Sequence, residues 1–337
     1  MNSLPPNSTA VTVQQIARPS GFPTRDRFRF VETPVPEPAR GTALVENLYW
    51  SVDPYHREMM DGEFTLNAPL EGRTVGRVVA SRDPGLVEGA LVFHRRGWRT
   101  HAVVGPDEVQ LLPELPGIPP SAHLGLLGGT GLTAYVALTR IARLRAGDDL
   151  FVSGAAGGVG TAVGRFARLL GVGRLVGSTG SAAKAAYLTE QVGYDEVFDY
   201  REGAVADLLA RAAPDGVDVF VDNVGGDHLA AAVGALRERG RIVRVGTISQ
   251  YNRPDTPPVC FDHADFVEKS LRMEGFLVRD HGDVRDELYT FAVPHLLDGR
   301  LASDETVVVG FERIVEAFLS MLRGGNTGKM IVKAADA

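Results

Sequence analysis

The chain has 337 residues, of which 44% are hydrophobic and 23% are charged, the composition of a soluble globular protein of about two domains. Its net charge of −7 argues against a general nucleic-acid or anionic-membrane surface, and its single cysteine, Cys260, excludes internal disulfides and a cysteine-rich zinc site. The N-terminus lacks the pattern of a signal peptide, and no segment is apolar for long enough to span a bilayer. We therefore expect a cytoplasmic protein.

The N-terminal part of the chain predicts a compact, mostly β domain. Up to about residue 120 it is rich in Pro and Gly and contains short β-forming runs, such as TALVE (42–46) and TVGRVV (74–79). The stretch LLPELPGIPPSA (111–122) has the composition of a connector, and it predicts a domain boundary.

The middle part of the chain predicts strands that alternate with helices, an arrangement typical of βαβ units and a parallel sheet. The expected strands are 149–153, 174–177, 196–198, 217–221 and 241–245, and the expected helices are 159–170, 182–192, 205–212 and 229–239. A strand at 306–309, a helix at 312–322 and a strand at 330–332 follow. We expect this tail to rejoin the N-terminal domain.

A glycine turn, SGAAGGVG (153–160), lies between the first of these strands and its helix. It is an A-x-G-x-x-G variant, in which Gly157 would let the backbone approach a pyrophosphate and Gly160 would let the helix pack closely on the strand. The free N–H groups at the start of the helix favour phosphate. Glycines at a tight turn also serve packing alone, but the placement among βαβ units favours dinucleotide binding.

The region from residue 150 to residue 189 contains no Asp or Glu. In a dinucleotide-binding unit, a carboxylate usually lies where the second strand ends and holds the ribose hydroxyls of NAD. Here Ser178, Thr179 and Ser181 supply hydroxyls and Lys184 supplies a positive charge, a combination that favours a 2′-phosphate. We therefore predict NADPH as the cofactor, against the alternative that Lys184 is only a solvated helix lysine.

Longer motifs extend the pattern over most of the chain. They are NLYWSVDPYHR (47–57), GGTGLTAY (128–135), VSGAAGGVGTAVGRFA (152–167), VDNVGG (221–226), RIVRVGTISQYN (241–252) and GGNTGKMIVK (324–333). In these motifs the chain resembles the zinc-free medium-chain dehydrogenase/reductase superfamily, and within it the group of prostaglandin reductases, plant double-bond reductases and bacterial curcumin reductases. GTISQYN followed by GGNTGK is much more specific than the glycine turn.

The resemblance implies an α/β fold with two domains. A GroES-like, β-rich catalytic domain would comprise residues 1–123 with 297–337, and a Rossmann NADPH-binding domain would comprise residues 124–296. A cleft between them would take NADPH and an α,β-unsaturated ketone or aldehyde. The resemblance also implies a homodimer, with no nucleic-acid or membrane partner.

The resemblance further assigns residues to the cofactor. The matching positions are Gly157, Gly158, Val159 and Gly160 for the pyrophosphate; Lys184 and Tyr200 for the 2′-phosphate; Asn223 for the ribose region; Val245, Gly246, Thr247, Ser249 and Tyr251 around the cofactor; Phe276, Val278 and Asn326 at its nicotinamide half; and Thr133 near the nicotinamide amide.

The implied reaction is reduction of a conjugated C=C bond, with hydride delivered to the β-carbon and an enolate forming on the carbonyl oxygen. Tyr251 is the candidate donor to that oxygen, because a tyrosine phenol has an ordinary pKa of about 10 and is protonated at neutral pH. The alternative is a tyrosine that only packs against the cofactor. The candidates for lining the substrate pocket are Asn47, Tyr49, Tyr55 and His56.

The chain also departs from the family. His56 stands where relatives usually carry Met, and a packing change is favoured over a proton donor. The segment HRRGWRTHAVV (94–104) is basic through Arg95, Arg96 and Arg99; a solvated loop is favoured over a site for an anionic substrate or a carrier protein's phosphopantetheine arm. GRTVG (72–76) lacks the Cys and His ligands of the zinc-dependent relatives, so no metal is expected.

Three other functions stay open. A quinone reductase of the same superfamily would use the same cofactor site with a less selective cleft. A non-catalytic NADPH-binding sensor or scaffold would need the cofactor motifs without turnover. A tailoring reductase of a biosynthetic pathway would keep the chemistry and change only the substrate, free or carrier-bound.

Overall fold

The structure is a computed structural model and describes residues 9–252 and 258–335. The chain divides into two compact units. Unit 1 takes its described residues from Met1–Leu124, Thr306–Asn326 and Met330–Ala337, and unit 2 takes its own from Gly125–Glu305 and Thr327–Lys329. Across the described ranges, no helix has both the length and the apolar character needed to cross a membrane.

The strands and helices are numbered in chain order. The strands are β1 Thr9–Gln15, β2 Phe28–Pro34, β3 Ala43–Ser51, β4 Thr74–Ser81, β5 Leu91–His94, β6 His101–Val104, β7 Val109–Leu111, β8 Leu150–Val152, β9 Leu175–Thr179, β10 Glu196–Asp199, β11 Val217–Asp222, β12 Leu236–Arg244, β13 Arg272–Gly275, β14 Glu305–Val309 and β15 Lys329–Lys333. The α-helices are α1 Tyr55–Met59, α2 Gly129–Val136, α3 Gly158–Leu169, α4 Ala182–Tyr187, α5 Val205–Ala212, α6 Gly226–Ala235, α7 Ala264–Glu268, α8 Arg285–Leu297 and α9 Ile314–Leu322.

Unit 2 is built on a six-stranded parallel sheet in the order β10-β9-β8-β11-β12-β13. The first strand of this sheet in chain order, β8, lies inside the sheet, and the order reverses beside it, as in the Rossmann arrangement 3-2-1-4-5-6. The apolar side chains of the central strands β8 and β11 are all buried, as a parallel sheet covered on both faces requires. The predicted α/β fold with a Rossmann sheet is confirmed.

One predicted boundary in unit 2 is wrong. The sequence predicts a helix over 229–239, whereas α6 ends at Ala235 and β12 begins at Leu236. Arg237 donates to the carboxylates of Asp149 (2.7 Å) and Asp218 (2.9 Å). Both acids lie at the amino ends of neighbouring strands, so tertiary ion pairs override the helix propensity of the LRER stretch.

Unit 1 is built on a sheet in the order β14-β15-β3-β4-β5-β7, with β6 also paired to β3; β1 and β2 form a separate hairpin. From β15 to β7 the pairs in this sheet are antiparallel. The last strand, β15, pairs antiparallel with β3, with Ile331 opposite Ser51. The C-terminal tail therefore completes a sheet that the N-terminal part begins. The core beside it packs α9 onto two buried tryptophans, Trp50 and Trp98.

The glycine turn brings α3 very close to the end of β8. A Cβ built on Gly160 would lie 2.4 Å from the carbonyl oxygen of Ala155, a backbone atom that has no room to move away. Gly154 has a φ of +60°, in the region that favours glycine. The packing role predicted for Gly160 therefore has a direct steric basis.

We expect Gly160→Ala to destabilise unit 2 by about 1–3 kcal/mol, because the added methyl group forces helix and turn apart. Gly234→Ala is the matched control: Gly234 is exposed near the end of α6, and its added Cβ meets nothing within 4 Å. That change should be neutral or should stabilise by up to about 1 kcal/mol. Urea unfolding followed by circular dichroism measures both, and equal midpoints for the two variants would contradict the steric argument.

Candidate active site

A buried carboxylate joins the carboxyl ends of three neighbouring strands in unit 2. Asp222, at the end of β11, is fully buried. It accepts hydrogen bonds from Ser153 Oγ after β8 (2.8 Å) and from the backbone N–H groups of Val224 (3.0 Å) and Gly225 (2.9 Å). It also pairs with the guanidinium of Arg244, at the end of β12. This network fixes the loop edge at the switch point between β8 and β11, where such sheets bind ligands.

Asn223 is held on the end of β8 from two sides. Its backbone N–H donates to Ser153 Oγ (3.0 Å), and its side-chain Nδ2 donates to the carbonyl of Ser153 (2.8 Å). The residue that the resemblance assigns to the ribose region therefore lies at the switch point, with its amide nitrogen engaged within the protein.

The turn after β12 carries the candidate donor Tyr251. Gly246 N–H donates to the carbonyl of Asp222 (3.1 Å), and Ser249 donates through its hydroxyl to the carbonyl of Val224 (2.6 Å). A Cβ built on Gly246 would lie 3.7 Å from the hydroxyl oxygen of Tyr251. The tyrosine therefore folds back over its own turn, and its hydroxyl lies at the carboxyl edge of the sheet.

A depression of about 470 Å³ lies beside this turn. Its lining residues are Arg244, Val245, Gly246, Thr247, Gly275, Phe276, Leu277 and Asp280. It brings four residues predicted to contact the cofactor (Val245, Gly246, Thr247 and Phe276) onto one surface, whereas Val278 lies in the 3-10 turn that follows. Thr133 lies on α2, where its hydroxyl donates to the carbonyl of Gly129 (2.7 Å).

The segment that follows Asn326 lies against the glycine turn. Gly328 N–H donates to the carbonyl of Ala156 (2.8 Å), and Gly328 and Gly157 form a parallel bridge. Although β15 belongs mainly to unit 1, residues 327–329 belong to unit 2. The GGNTGK motif is therefore in direct contact with the glycine turn, a pairing between distant segments that no local pattern predicts.

Two cations lie near the end of β9. Lys184 is half-buried in the first turn of α4, where its N–H donates to the capping hydroxyl of Ser181 (3.3 Å). Burial and the neighbouring Arg201 together lower the pKa of Lys184. Tyr200 packs over Gly180, whose Cβ would lie 3.2 Å from the tyrosine hydroxyl. Lys184 and Tyr200 are thus both close to the end of β9, and Arg201 is a neighbour that sequence reasoning missed.

The end of β9 is not free of acid, although residues 150–189 are. Asp199, at the end of β10, lies level with Thr179 in the sheet register. Its carboxylate accepts two side-chain hydrogen bonds from Arg201 (2.8 and 3.1 Å), and this arginine lowers the pKa of Asp199. Arg201 therefore offsets the negative charge of Asp199, the acid that the pairing of β10 with β9 brings close to the end of β9.

Two of the hydroxyls expected to line this strand end differ in their surroundings. Ser178 Oγ is buried and, within the described ranges, has no hydrogen-bond partner. Ser181 caps α4. Because Arg201 is paired with Asp199, the net positive charge at this strand end comes from Lys184, and of the two serines only Ser181 is engaged within the described part of the protein.

In unit 1, the candidate substrate residue Asn47 is part of a buried network. Its Nδ2 donates to the carbonyl of Arg99 (2.8 Å), and its Oδ1 lies 2.8 Å from His94 Nε2. His94 Nδ1 accepts the N–H of Arg96 (3.1 Å). Both ends of the Asn47 amide are thus engaged, and this side chain positions β3 against the segment after β5.

The other candidate substrate residues have different surroundings. His56 is buried among aromatic rings, with centroids 5.4 Å from Trp98 and 6.2 Å from Phe318, which is the packing position that the sequence favoured. Tyr49 is half-buried on β3. Tyr55 follows Asp53 and Pro54 at the start of α1, with its ring 4.5 Å from that of His56.

In the basic segment 94–104 only Arg95 and Arg96 are exposed, so the predicted solvated loop is correct for these two residues and wrong for the others, which are buried or half-buried. Arg95 pairs with Glu71, Arg96 pairs with Glu108, and all four side chains are substantially exposed. Arg99 is less exposed, and burial together with Arg96 lowers its pKa to about 10.

Comparison with known proteins places this site in a family. Residues 12–112 match the family described as "N-terminal domain of oxidoreductase", and residues 158–293 match "Zinc-binding dehydrogenase". The chain is 38% identical to prostaglandin reductase 1 of Rattus norvegicus over 93% of this chain and 96% of that protein. It is 33% identical to the NADPH-dependent curcumin reductase of Escherichia coli over 95% of each. The crystal structure of CurA from Vibrio vulnificus in complex with NADPH superposes with a TM-score of 0.90 at 32% identity, covering 96% of this chain and 99% of that one.

The sheet order, the glycine turn and these matches define an oxidoreductase of the medium-chain dehydrogenase/reductase superfamily. Within residues 9–252 and 258–335, no group of three or more His, Cys, Asp or Glu side chains is arranged to hold a metal ion. The chain belongs to the zinc-free group of this superfamily that includes the prostaglandin and curcumin reductases.

His94 gives unit 1 a predicted dependence on pH. Burial, Arg99 and Arg96 lower the pKa of His94 from 6.5 to about 3. Below pH 6.5, His94 therefore binds a proton in the unfolded chain but not in the folded chain. The contribution of His94 to the free energy of unfolding should be fully present above this pH. It should fall by about 1.4 kcal/mol per pH unit as the pH drops towards the pKa of His94 in the folded chain.

His94→Gln retains a donor for Asn47 and should flatten this slope, whereas the exposed His263→Gln should not. Tryptophan fluorescence during urea unfolding at several pH values is the measurement, since both tryptophans, Trp50 and Trp98, lie in unit 1. An unchanged slope in His94→Gln would refute this assignment.

Proposed function

We propose that the protein is an NADPH-dependent reductase of the conjugated C=C bond in α,β-unsaturated ketones and aldehydes. The observation that carries this proposal is the combination, on one sheet edge, of a dinucleotide crevice, two cations near the end of β9 and a tyrosine hydroxyl after β12. Unit 2 is the NADPH-binding domain and unit 1 the catalytic domain; the chain passes between the units after Leu124 and after Glu305, whereas the predicted boundaries follow residues 123 and 296. Relatives that act on prostaglandins and curcumin support the substrate class.

The residues of unit 2 fit a phosphorylated dinucleotide. The glycine turn leaves the first N–H groups of α3, a helix of 12 residues, at the switch point, where pyrophosphate binds in such sheets. Lys184 and Tyr200 would contact the 2′-phosphate, and Arg201 beside them offsets the negative charge of Asp199. Asn223, Ser249, Phe276, Val278, Asn326 and Thr133 lie further along the cofactor, towards the nicotinamide.

The bound cofactor supplies the hydride for the β-carbon. Tyr251 donates a hydrogen bond to the carbonyl oxygen, where negative charge develops as the double bond is reduced. The turn that carries Tyr251 is fixed to the carbonyls of Asp222 and Val224, so the donor needs little reorganisation. Tyr49 and Tyr55 line the substrate side, whereas Asn47 and His56 support it from the core.

We further propose that the protein works in the cytoplasm as a homodimer, as the family resemblance implies. Sedimentation velocity over a range of concentrations tests the dimer. A species of 36.1 kDa at all concentrations would reject it.

A substrate panel tests the function against its alternatives. NADPH absorbance is followed with enones, enals, acyl thioesters and quinones, with a chelator present because no metal is expected. Enones or enals should turn over far faster than quinones. Preference for a quinone would indicate the quinone reductase, and cofactor binding without any turnover would indicate a sensor or scaffold.

Lys184→Ala should raise the NADPH dissociation constant about tenfold or more, because it removes a charge-assisted contact worth about 1.5–3 kcal/mol. NADH affinity should barely change, since NADH lacks the phosphate. Arg174→Ala removes the same charge at the opposite end of β9, on an exposed side chain, and is the control. Fluorescence titration measures both cofactors, and equal losses for NADPH and NADH would show that Lys184 does not recognise the phosphate.

Tyr251→Phe should raise the activation free energy of enone reduction by about 2–4 kcal/mol. The affinity for NADPH should stay unchanged, because only the donor hydroxyl is lost. Single-turnover kinetics isolate the chemical step. Deuteride from labelled cofactor should appear at the β-carbon in both proteins. A Tyr251→Phe protein with the full single-turnover rate would remove Tyr251 from the mechanism.

A further inference from the structure

Arg73 lies in unit 1 with most of its hydrogen-bonding capacity unused. It immediately precedes β4, and its side chain is 19% exposed. Among the residues that the structure describes, its guanidinium makes one ion pair, with Asp53 at 3.6 Å, and lies over the ring of Tyr55 at 5.2 Å from the centroid. A separation of 3.6 Å exceeds hydrogen-bonding distance. A largely buried arginine therefore keeps its planar set of N–H donors available.

Tyr55 adds a second unused donor beside it. Its hydroxyl is buried and, within residues 9–252 and 258–335, has no hydrogen-bond partner. Burial and the neighbouring Asp53 raise the pKa of Tyr55, so the hydroxyl keeps its proton and can only gain by donating. Buried polar groups in native proteins are almost always satisfied, by protein, water or ligand.

The nearby acids are already committed. Asp53 accepts the hydroxyl hydrogen of Ser51 at 2.5 Å, and Glu71 accepts two hydrogen bonds from Arg95, at 2.5 and 3.0 Å. Arg95 is thus matched by a carboxylate at hydrogen-bonding distance, whereas Arg73 is not. The difference between these two arginines identifies Arg73 as the one with capacity for a further acceptor.

We propose that Arg73, with the Tyr55 hydroxyl, binds a carboxylate carried by the substrate. This inference rests on the proposed function, whose substrate it narrows to conjugated ketones or aldehydes that bear an acid group. Two oxygen atoms of a carboxylate match the parallel N–H groups of a guanidinium. A neutral carbonyl would leave most of these donors unmatched in a largely buried position.

The test compares two substrates with the same enone. One is 4-phenyl-3-buten-2-one with a carboxylate on its ring, and the other is the methyl ester of that acid. The wild-type protein should prefer the acid through a lower KM. Arg73→Gln should raise the KM for the acid about ten- to a hundredfold, with kcat and all constants for the ester nearly unchanged. Arg73→Lys should give a smaller loss, since the charge stays and the planar pair of donors does not.

Arg77→Gln is the matched control, because Arg77 lies on β4 and is paired with Glu114 on the surface. It should leave both substrates unaffected. No preference for the acid in the wild type, or equal effects of Arg73→Gln on acid and ester, would overturn the inference while leaving the proposed function intact. A fall in kcat for both substrates would instead assign Arg73 to the reacting oxygen, and would also overturn it.

Turnover of neither substrate would count against the proposed function. In that case, isothermal titration calorimetry with the acid whose C=C bond has been reduced still tests the contact between Arg73 and the carboxylate. Weaker binding to Arg73→Gln than to wild type would support the contact, and equal binding would reject it.

Discussion

The candidate site depends on one buried carboxylate. Asp222 has no exposure to solvent, yet it is matched by a hydroxyl, two backbone N–H groups and a guanidinium. A carboxylate in this position would be very costly without these donors. Because the donors come from the ends of β8, β11 and β12, its satisfaction requires all three loops to adopt one arrangement. The glycine turn, Asn223 and the Tyr251 turn are therefore positioned together.

The sequence predicted the architecture of unit 2 well because its strands and helices are locally encoded. Buried strands are continuous apolar runs, and the helices between them have one apolar face, so each element can be recognised within its own residues. The exception is instructive. Arg237 belongs to a helix-forming stretch, and only acids more than 15 residues away along the chain bring it into a strand. No local pattern carries that information.

The same distinction separates the site residues found from those missed. Gly160 and Lys184 lie in motifs in which the spacing of the residues along the chain is enough to predict their roles. Arg201 was missed because its value depends on Asp199, which the parallel register of β9 and β10 brings level with Thr179. Asn47 seemed available to substrate because nothing in NLYWSVDPYHR reveals that His94 and the carbonyl of Arg99 engage its amide. Motifs identified the region of the site, and pairing across the sheet determined which atoms remain for a ligand.

The pairing of β15 with β3 has a consequence for synthesis on the ribosome. β3 is made before all of unit 2, but β15, the strand that lies between β3 and β14, is made after nearly all of it. Nearly all of unit 2 emerges in between, and its six-stranded sheet is complete once β13 has been made, before β15. Unit 2 can therefore fold while unit 1 still exposes an incomplete sheet. During that interval β3 presents an open apolar edge, and chaperones that shield such edges would act on unit 1 rather than on the Rossmann sheet.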